Sequence, residues 1–174
     1  EPRAWEIKSA AMCIHYLKGG GACLQTRSET ERERKMKVER TDSEILINAG
    51  GFRLRIRRED GCFTGLSRGA GKDLFDGKKG YVALYYPTRR QLLFGPEDAK
   101  VQRITEGKQG ITLELSAKSG GAALFLEIGE KDGYLRLAAR AEAVHEDIRE
   151  AELVFVLPVF HSKINGFVPH SDGI

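Results

Sequence analysis

Long apolar runs and an excess of one charge are both missing from this chain. No apolar stretch approaches the ~20 residues that a membrane-spanning helix needs. The 28 basic and 25 acidic residues are interspersed and leave a formal net charge of +3. We therefore expect neither a membrane nor nucleic acid as a partner. With 174 residues, 41% of them hydrophobic, the chain predicts one domain with a core, or one domain with an incomplete extension.

Cysteine and histidine are too scattered to predict a metal site. The three cysteines are Cys13, Cys23 and Cys62. Their odd number and the lack of CxxC spacing indicate neither a zinc site nor a complete disulfide framework, although a bridge between the first two is left open. The histidines lack HxxxH spacing, and only His161 and His170 gather with Asp172 near the C-terminus. The sequence therefore predicts no metal and no other cofactor.

Motifs for phosphate binding and nucleophilic catalysis are also incomplete. The stretch Gly69-Ala70-Gly71-Lys72 resembles part of a phosphate-binding loop. A complete loop needs a glycine where Leu66 stands and a hydroxyl where Asp73 stands, and a carboxylate there would repel the phosphates. There is no GxSxG nucleophile elbow. We therefore predict a flexible hairpin loop at 69–72 and no catalytic residue.

Glycine is abundant, since its 20 residues make up about 11% of the chain against a usual ~7%. The glycines separate short apolar stretches. Residues 52–57 alternate apolar residues with Arg53, Arg55 and Arg57, which predicts a strand with one apolar and one cationic face. A turn at 59–61 then leads to a second strand. Similar short runs follow, namely YVALYY, VQRI, ITLEL, AALFLEI and AELVFVLPVF. The last is nearly continuous, which indicates a strand buried on both faces.

This rhythm predicts an all-β fold, an antiparallel β-sandwich with at most a short helix near the N-terminus. The first 43 residues fit it less well. Residues 4–17 suit a strand and a short helix equally, and the charged stretch 27–42 suits a solvated helix or an exposed strand. We therefore divide the chain into an N-terminal segment of uncertain assignment, 1–43, and a β-sandwich domain, 44–174, which we expect to be truncated at its C-terminus.

One stretch has the composition of a carbohydrate-binding platform. Tyr85 and Tyr86 end a predicted strand, and Arg89 and Arg90 follow closely. An aromatic ring packs against the apolar C–H face of a sugar, and adjacent polar groups bind its hydroxyls. These four residues are the candidate carbohydrate-binding residues of the sequence.

The order of strands and turns over residues 44–160 resembles galactose mutarotase-like β-supersandwich domains. The stretches EILIN and GFRLRI, followed by GCFTGL and DLF, are similar to the opening hairpin of those domains. Further on, GYLRL and AELVFVLPVF resemble a pair of strands that ends in a proline between hydrophobic residues. Supersandwich domains often stand on the N-terminal side of the catalytic barrel in large glycoside hydrolases, and related sandwiches occur in polysaccharide lyases and sugar epimerases.

The resemblance implies a carbohydrate-related function. Our leading expectation is a non-catalytic domain of a larger carbohydrate-active enzyme, secreted or located at the cell surface or in the periplasm. Its expected partners are the catalytic domain of the same parent chain and carbohydrate. One alternative is an aldose epimerase in which His145 or His161 is the acid and Glu127 or Glu152 the base. Another is a free-standing carbohydrate-binding or interaction module that contacts anionic polysaccharide through the arginines of residues 52–57.

Overall fold

A computed structural model describes residues 6–14, 36–107, 110–118, 121–131, 133–143, 151–158 and 167–170. These residues contain thirteen β-strands and no helix. The strands in the first half of the chain are β1 (Glu6–Ile14), β2 (Lys37–Arg40), β3 (Glu44–Ala49), β4 (Phe52–Arg57), β5 (Phe63–Arg68) and β6 (Tyr81–Tyr86). The second half contributes β7 (Gln91–Phe94), β8 (Ala99–Glu106), β9 (Gly110–Ala117), β10 (Ala122–Lys131), β11 (Tyr134–Ala143), β12 (Glu152–Val156) and β13 (Phe167–His170).

The strands form three antiparallel sheets. A six-stranded sheet has the order β13-β1-β11-β10-β9-β8, a four-stranded sheet the order β2-β3-β4-β5, and a three-stranded sheet the order β12-β6-β7. Phe63 and Gly80 exchange two backbone hydrogen bonds, 2.8 and 2.9 Å long, and so connect β5 to the start of β6. A side chain at Gly80 would lie 2.7 Å from the carbonyl oxygen of Val156, which explains the glycine at this junction.

One hydrophobic core joins the three sheets. Side chains of β4, β9 and β10 alternate between buried and more exposed positions, as strands with one face on a core do. The largest fully buried side chains include Phe63, Phe75, Leu54, Leu84 and Leu113. The described residues therefore form an all-β, sandwich-like fold, which confirms the predicted fold class.

The alternation at residues 52–57 confirms the predicted strand, since Phe52, Leu54 and Ile56 are all buried. The ambiguous stretch 4–17 contains β1, which pairs with β11 along its whole length. Within 27–42, β2 pairs with β3, whereas 27–35 lie outside the described residues. The division of the chain at residue 43 stays a prediction.

Strand β12 differs from the expectation of burial on both faces. Its residues 153–156 are only half-buried. The physical reason is position: β12 pairs with β6 and lies at the edge of the three-stranded sheet. A strand with a neighbour on one side leaves more of its surface open than a central strand does.

Among the described residues, no helix has the length and apolar character needed to cross a membrane.

Candidate functional site

The outward-facing arginines of β4, which we call the arginine face, are Arg53, Arg55 and Arg57. Arg55 donates from Nη2 to Asp73 Oδ2 at 2.6 Å. Arg57 donates from Nε to Asp60 Oδ1 at 2.9 Å and pairs through Nη2 with the second carboxylate oxygen. Arg53 donates to the side-chain oxygen of Asn48 at 3.2 Å. The positive charge of this face is therefore largely compensated by neighbouring groups.

Asp73 connects the arginine face to the loop after β5. Its Oδ1 accepts backbone hydrogen bonds from Leu66 at 3.1 Å and from Phe75 at 3.0 Å. Its other oxygen holds Arg55. Asp73, which occupies the position of the hydroxyl in a phosphate-binding loop, thus has a structural role. Residues 68–72 of the loop are exposed.

The predicted carbohydrate-binding residues lie at the end of β6 and in the turn that follows. Tyr86 is 5% exposed and belongs to the core, and the Arg89 guanidinium lies 5.0 Å from the centre of its ring. Tyr85 points to the opposite face of the strand and is half-buried, whereas Arg89 and Arg90 are exposed. Of the two rings, Tyr85 is therefore the one a sugar can approach. Carbohydrate binding by these four residues stays a prediction.

The same alternation places Tyr81 on the face that carries Tyr85. We call these two half-buried residues the tyrosine face. Across the pair β6 and β12, Tyr81 lies opposite Val156, and Tyr85 lies opposite Glu152. On the other side of β6, Tyr85 lies opposite Leu92, which is 45% exposed. The tyrosine face is therefore an open surface of mixed aromatic and apolar character.

A depression of about 580 Å³ lies at the Tyr81 end of this face. We call it the end depression. It is lined by groups from distant parts of the sequence, including Arg57, Asp60, Lys79, Tyr81, Lys100 and Lys118. The turn between β4 and β5, the start of β6, the start of β8 and the end of β9 meet here, so no short motif encodes it.

The charges of the end depression are only partly paired. Arg57 and Asp60 neutralise each other, and the Lys118 ammonium donates to the backbone oxygen of Glu97 at 2.6 Å. Lys79 and Lys100 are exposed and hold no carboxylate in the part of the chain that is described. Two further acids, Glu59 and Glu97, also line the depression. Hydrogen-bond donors and acceptors therefore line the same depression as Tyr81.

The deepest group of the depression is Cys62, which is 1% exposed and has a free thiol. Burial, together with the negative charge of Asp60, raises the pKa of Cys62 to about 11. Burial alone would also raise the pKa of Asp60, but hydrogen bonds from Arg57 and the backbone of Cys62 outweigh it and lower that pKa. The hydrogen bond to Asp60 raises the pKa of Arg57. The thiol is consequently neutral at physiological pH, which disfavours nucleophilic chemistry.

A second, smaller depression of about 480 Å³ lies on the six-stranded sheet. It includes Thr105, Thr112 and the ion pair of Arg136 with Glu127, whose nearest atoms are 3.6 Å apart. None of the described residues that line it is aromatic. Its ion pair is largely open to water and therefore interacts weakly. We consider this depression a poorer candidate binding site than the end depression.

The epimerase hypothesis stays a prediction, because its candidate acids lie outside the described residues and only its two alternative bases can be placed. Glu127 lies on β10 of the six-stranded sheet, and Glu152 lies on β12 of the three-stranded sheet. The candidate acids His145 and His161 fall outside the described residues, as do Asp172 and Cys23. Within the described ranges, no group of three His, Cys, Asp or Glu residues is placed to hold a metal ion.

No protein-family model, no curated protein and no solved structure matches the chain.

Sequence reasoning singled out Arg57 but missed Tyr81 and the lysines that line the end depression with it. The pattern YVALYY does contain a signal for Tyr81, because period-2 alternation puts the first and fifth residues of a strand on one face. The lysines carry no such signal. Lys79, Lys100 and Lys118 come from three separate segments, and only the packing of the sheets brings them to one place.

Proposed function

We propose that this chain is a non-catalytic β-sandwich module of a larger carbohydrate-active enzyme, and that it contacts carbohydrate through the tyrosine face and the end depression. The observation that carries the proposal is the position of Tyr81, which is half-buried among charged donors and acceptors in a concave site. The all-β architecture agrees with the fold that the supersandwich resemblance implies.

The composition of the site suits a sugar. The face of a tyrosine ring provides apolar contact area at little conformational cost, and it leaves room for polar groups to fix orientation. Every sugar hydroxyl is both a donor and an acceptor. Lys79 and Lys100 supply donors, and Glu59 supplies a carboxylate acceptor, in the depression that Tyr81 also lines.

Two groups of the end depression that could take part in catalysis have other roles. The Arg57–Asp60 pair is committed to the turn, since Asp60 Oδ1 also accepts the backbone N–H of Cys62 at 3.0 Å. The buried Cys62 keeps its proton at neutral pH. An isolated module of this kind binds carbohydrate and leaves bond cleavage to another domain.

Affinity electrophoresis against a panel of soluble polysaccharides tests the proposal. We expect retardation by at least one polysaccharide, and we expect Tyr81→Ala to weaken it about tenfold because the stacking surface is lost. The matched control is Tyr134→Ala, which removes a ring that is 43% exposed on another sheet. Circular dichroism of each variant checks that the fold is retained.

Two results would overturn the proposal. One is a lack of retardation by every polysaccharide, or binding that neither Tyr81→Ala nor Tyr85→Ala affects. The other is hydrolysis or anomer interconversion of sugars by the purified chain at rates far above the uncatalysed reaction.

A further inference from the structure

The two cationic surfaces of the molecule differ in how much of their charge is available to a ligand. In the arginine face, Arg55 and Arg57 each hold a carboxylate. In the end depression, Lys79 and Lys100 hold none within the described ranges. An anionic ligand competes with Asp73 for Arg55 and with Asp60 for Arg57, and Arg53 holds the neutral side chain of Asn48. Lys79 and Lys100 have no such competitor among the described residues.

Displacing either aspartate is costly because each also organises backbone. Asp73 accepts the N–H groups of Leu66 and Phe75, and Asp60 accepts that of Cys62. Hydrogen bonds to a charged acceptor are stronger than those between neutral groups. Arg55 and Arg57 are therefore less available to an anionic ligand than Lys79 and Lys100 are.

The charge balance of the end depression favours an anion. The depression includes four cations, Arg57 and the three lysines, and three carboxylates, those of Glu59, Asp60 and Glu97. After the Arg57–Asp60 pair is set aside, three ammonium groups face two carboxylates. Lys118 is fixed by its bond to the backbone oxygen of Glu97, so it adds positive potential at a defined position. The field of the site thus has a positive excess.

We infer that the end depression selects an anionic glycan, with Lys79 and Lys100 binding a carboxylate or sulfate group of a sugar that stacks on Tyr81. This inference rests on the proposed carbohydrate contact. It names the substrate class of the same site, and it transfers the anionic-polysaccharide hypothesis from the arginine face to the lysines.

The test uses pairs of polysaccharides that differ in charge alone. Polygalacturonate is compared with its methyl-esterified form, and dextran sulfate with dextran, by affinity electrophoresis and titration calorimetry at 20 and 200 mM salt. The first pair probes a carboxylate and the second a sulfate. The protein variants are K79Q, K100Q and the double variant. The controls are K72Q, an exposed lysine in the loop after β5, and R53Q on the arginine face.

We expect one charged polymer to bind at least tenfold more tightly than its neutral partner at low salt, since its charges meet unpaired cations. We expect the difference to shrink at high salt because exposed charges are screened. Each single lysine variant should lose about threefold in affinity, the double variant about tenfold, and both controls less than twofold.

The outcomes separate this inference from the proposed function. Equal binding of charged and neutral polymers, still sensitive to Tyr81→Ala, overturns the anionic selectivity and leaves the carbohydrate contact intact. A charge preference that K79Q and K100Q do not change, or that R53Q removes, overturns the assignment to the lysines. A lack of binding to any polymer overturns both.

Discussion

The arginine face and the end depression share Arg57 but organise their other charged residues differently. On the arginine face, guanidinium groups lie against carboxylates and an amide. In the end depression, Lys79 and Lys100 project without such partners among the described residues. Arginine forms a rigid fork that suits fixed pairing, while lysine is a flexible, strongly hydrated point charge. A row of cationic residues in a sequence therefore does not show which cationic side chains are free to bind a ligand.

If the arginine face serves the structure and the end depression serves binding, substitutions in the two regions should affect different properties. On the arginine face they should lower the free energy of unfolding. In the end depression, lysine substitutions should change affinity alone.

The largest expected effect is that of Asp73→Ala. The change leaves the N–H groups of Leu66 and Phe75 and the guanidinium of Arg55 without their common acceptor. We expect the free energy of unfolding to fall by about 2–4 kcal/mol, since several donors lose a charged partner together. Urea denaturation measures the change. Asp42→Ala, at an exposed position, is the control and should change stability by less than about 0.5 kcal/mol. Equal effects of the two variants would contradict the structural role of Asp73.

The next effect is a loss of stability in alkali that depends on Cys62. Folding raises the pKa of this thiol from 9.0 to about 11. Between these values the unfolded chain loses its proton while the folded chain keeps it, so stability falls as the pH rises. The loss between pH 9 and pH 11 should be roughly 2 kcal/mol.

Urea denaturation at several pH values measures this loss, and Cys62→Ala is the comparison. The variant retains the other alkaline titrations, so the difference between the two curves isolates the thiol. Parallel curves for the parent and the variant would show that burial of Cys62 does not perturb its ionisation. A slow reaction of the folded parent's Cys62 with a thiol reagent, accelerated by urea, would show that the fold shields the thiol.

A smaller effect is expected from Gly65→Ala. A side chain at Gly65 would overlap the guanidinium of Arg55, which lies across β5 to reach Asp73. The flexible arginine must move, and its ion pair is then lost. We expect a cost of about 1 kcal/mol in the parent and much less in an Arg55→Ala background. Denaturation of the four proteins of this double-mutant cycle measures the coupling. Additive effects would contradict the contact.

The sequence predicts the strand that carries the arginine face, but it does not predict the partners of the arginine side chains. Alternation over residues 52–57 is sufficient to place the apolar residues in the core, because strand period alone decides which face a side chain occupies. The partners of the arginines depend on turn and loop geometry. Asp60 lies next to the left-handed Gly61 (φ 71°), and Asp73 reaches back from a loop, so neither pairing follows from periodicity.

For the candidate binding residues too, the sequence predicts the face of a strand on which a side chain lies but not its neighbours from other segments. Alternation within β6 puts Tyr85 and Tyr86 on opposite faces of the strand, and a contact of either ring with carbohydrate stays a prediction. The same alternation predicts that Tyr81 lies on the face of Tyr85. The lysines at positions 79, 100 and 118 become neighbours only after the sheets have packed. The spacing of residues in one sequence does not show which distant segments pack together, so it does not predict that these lysines are neighbours.

The smallest expected effect concerns the stability of the lysine variants. Because Lys79 and Lys100 are exposed and hold no carboxylate in the described part of the chain, their replacement by Gln should change the free energy of unfolding by less than about 0.5 kcal/mol. Removing two like charges from one depression should, if anything, stabilise the fold slightly at low salt. Urea denaturation at 20 and 200 mM salt measures both expectations. Arg55→Gln, which breaks an ion pair, is the matched control and should cost more. A lysine variant that destabilises the fold as much as this control would mean that the end depression, like the arginine face, uses its cations for structure.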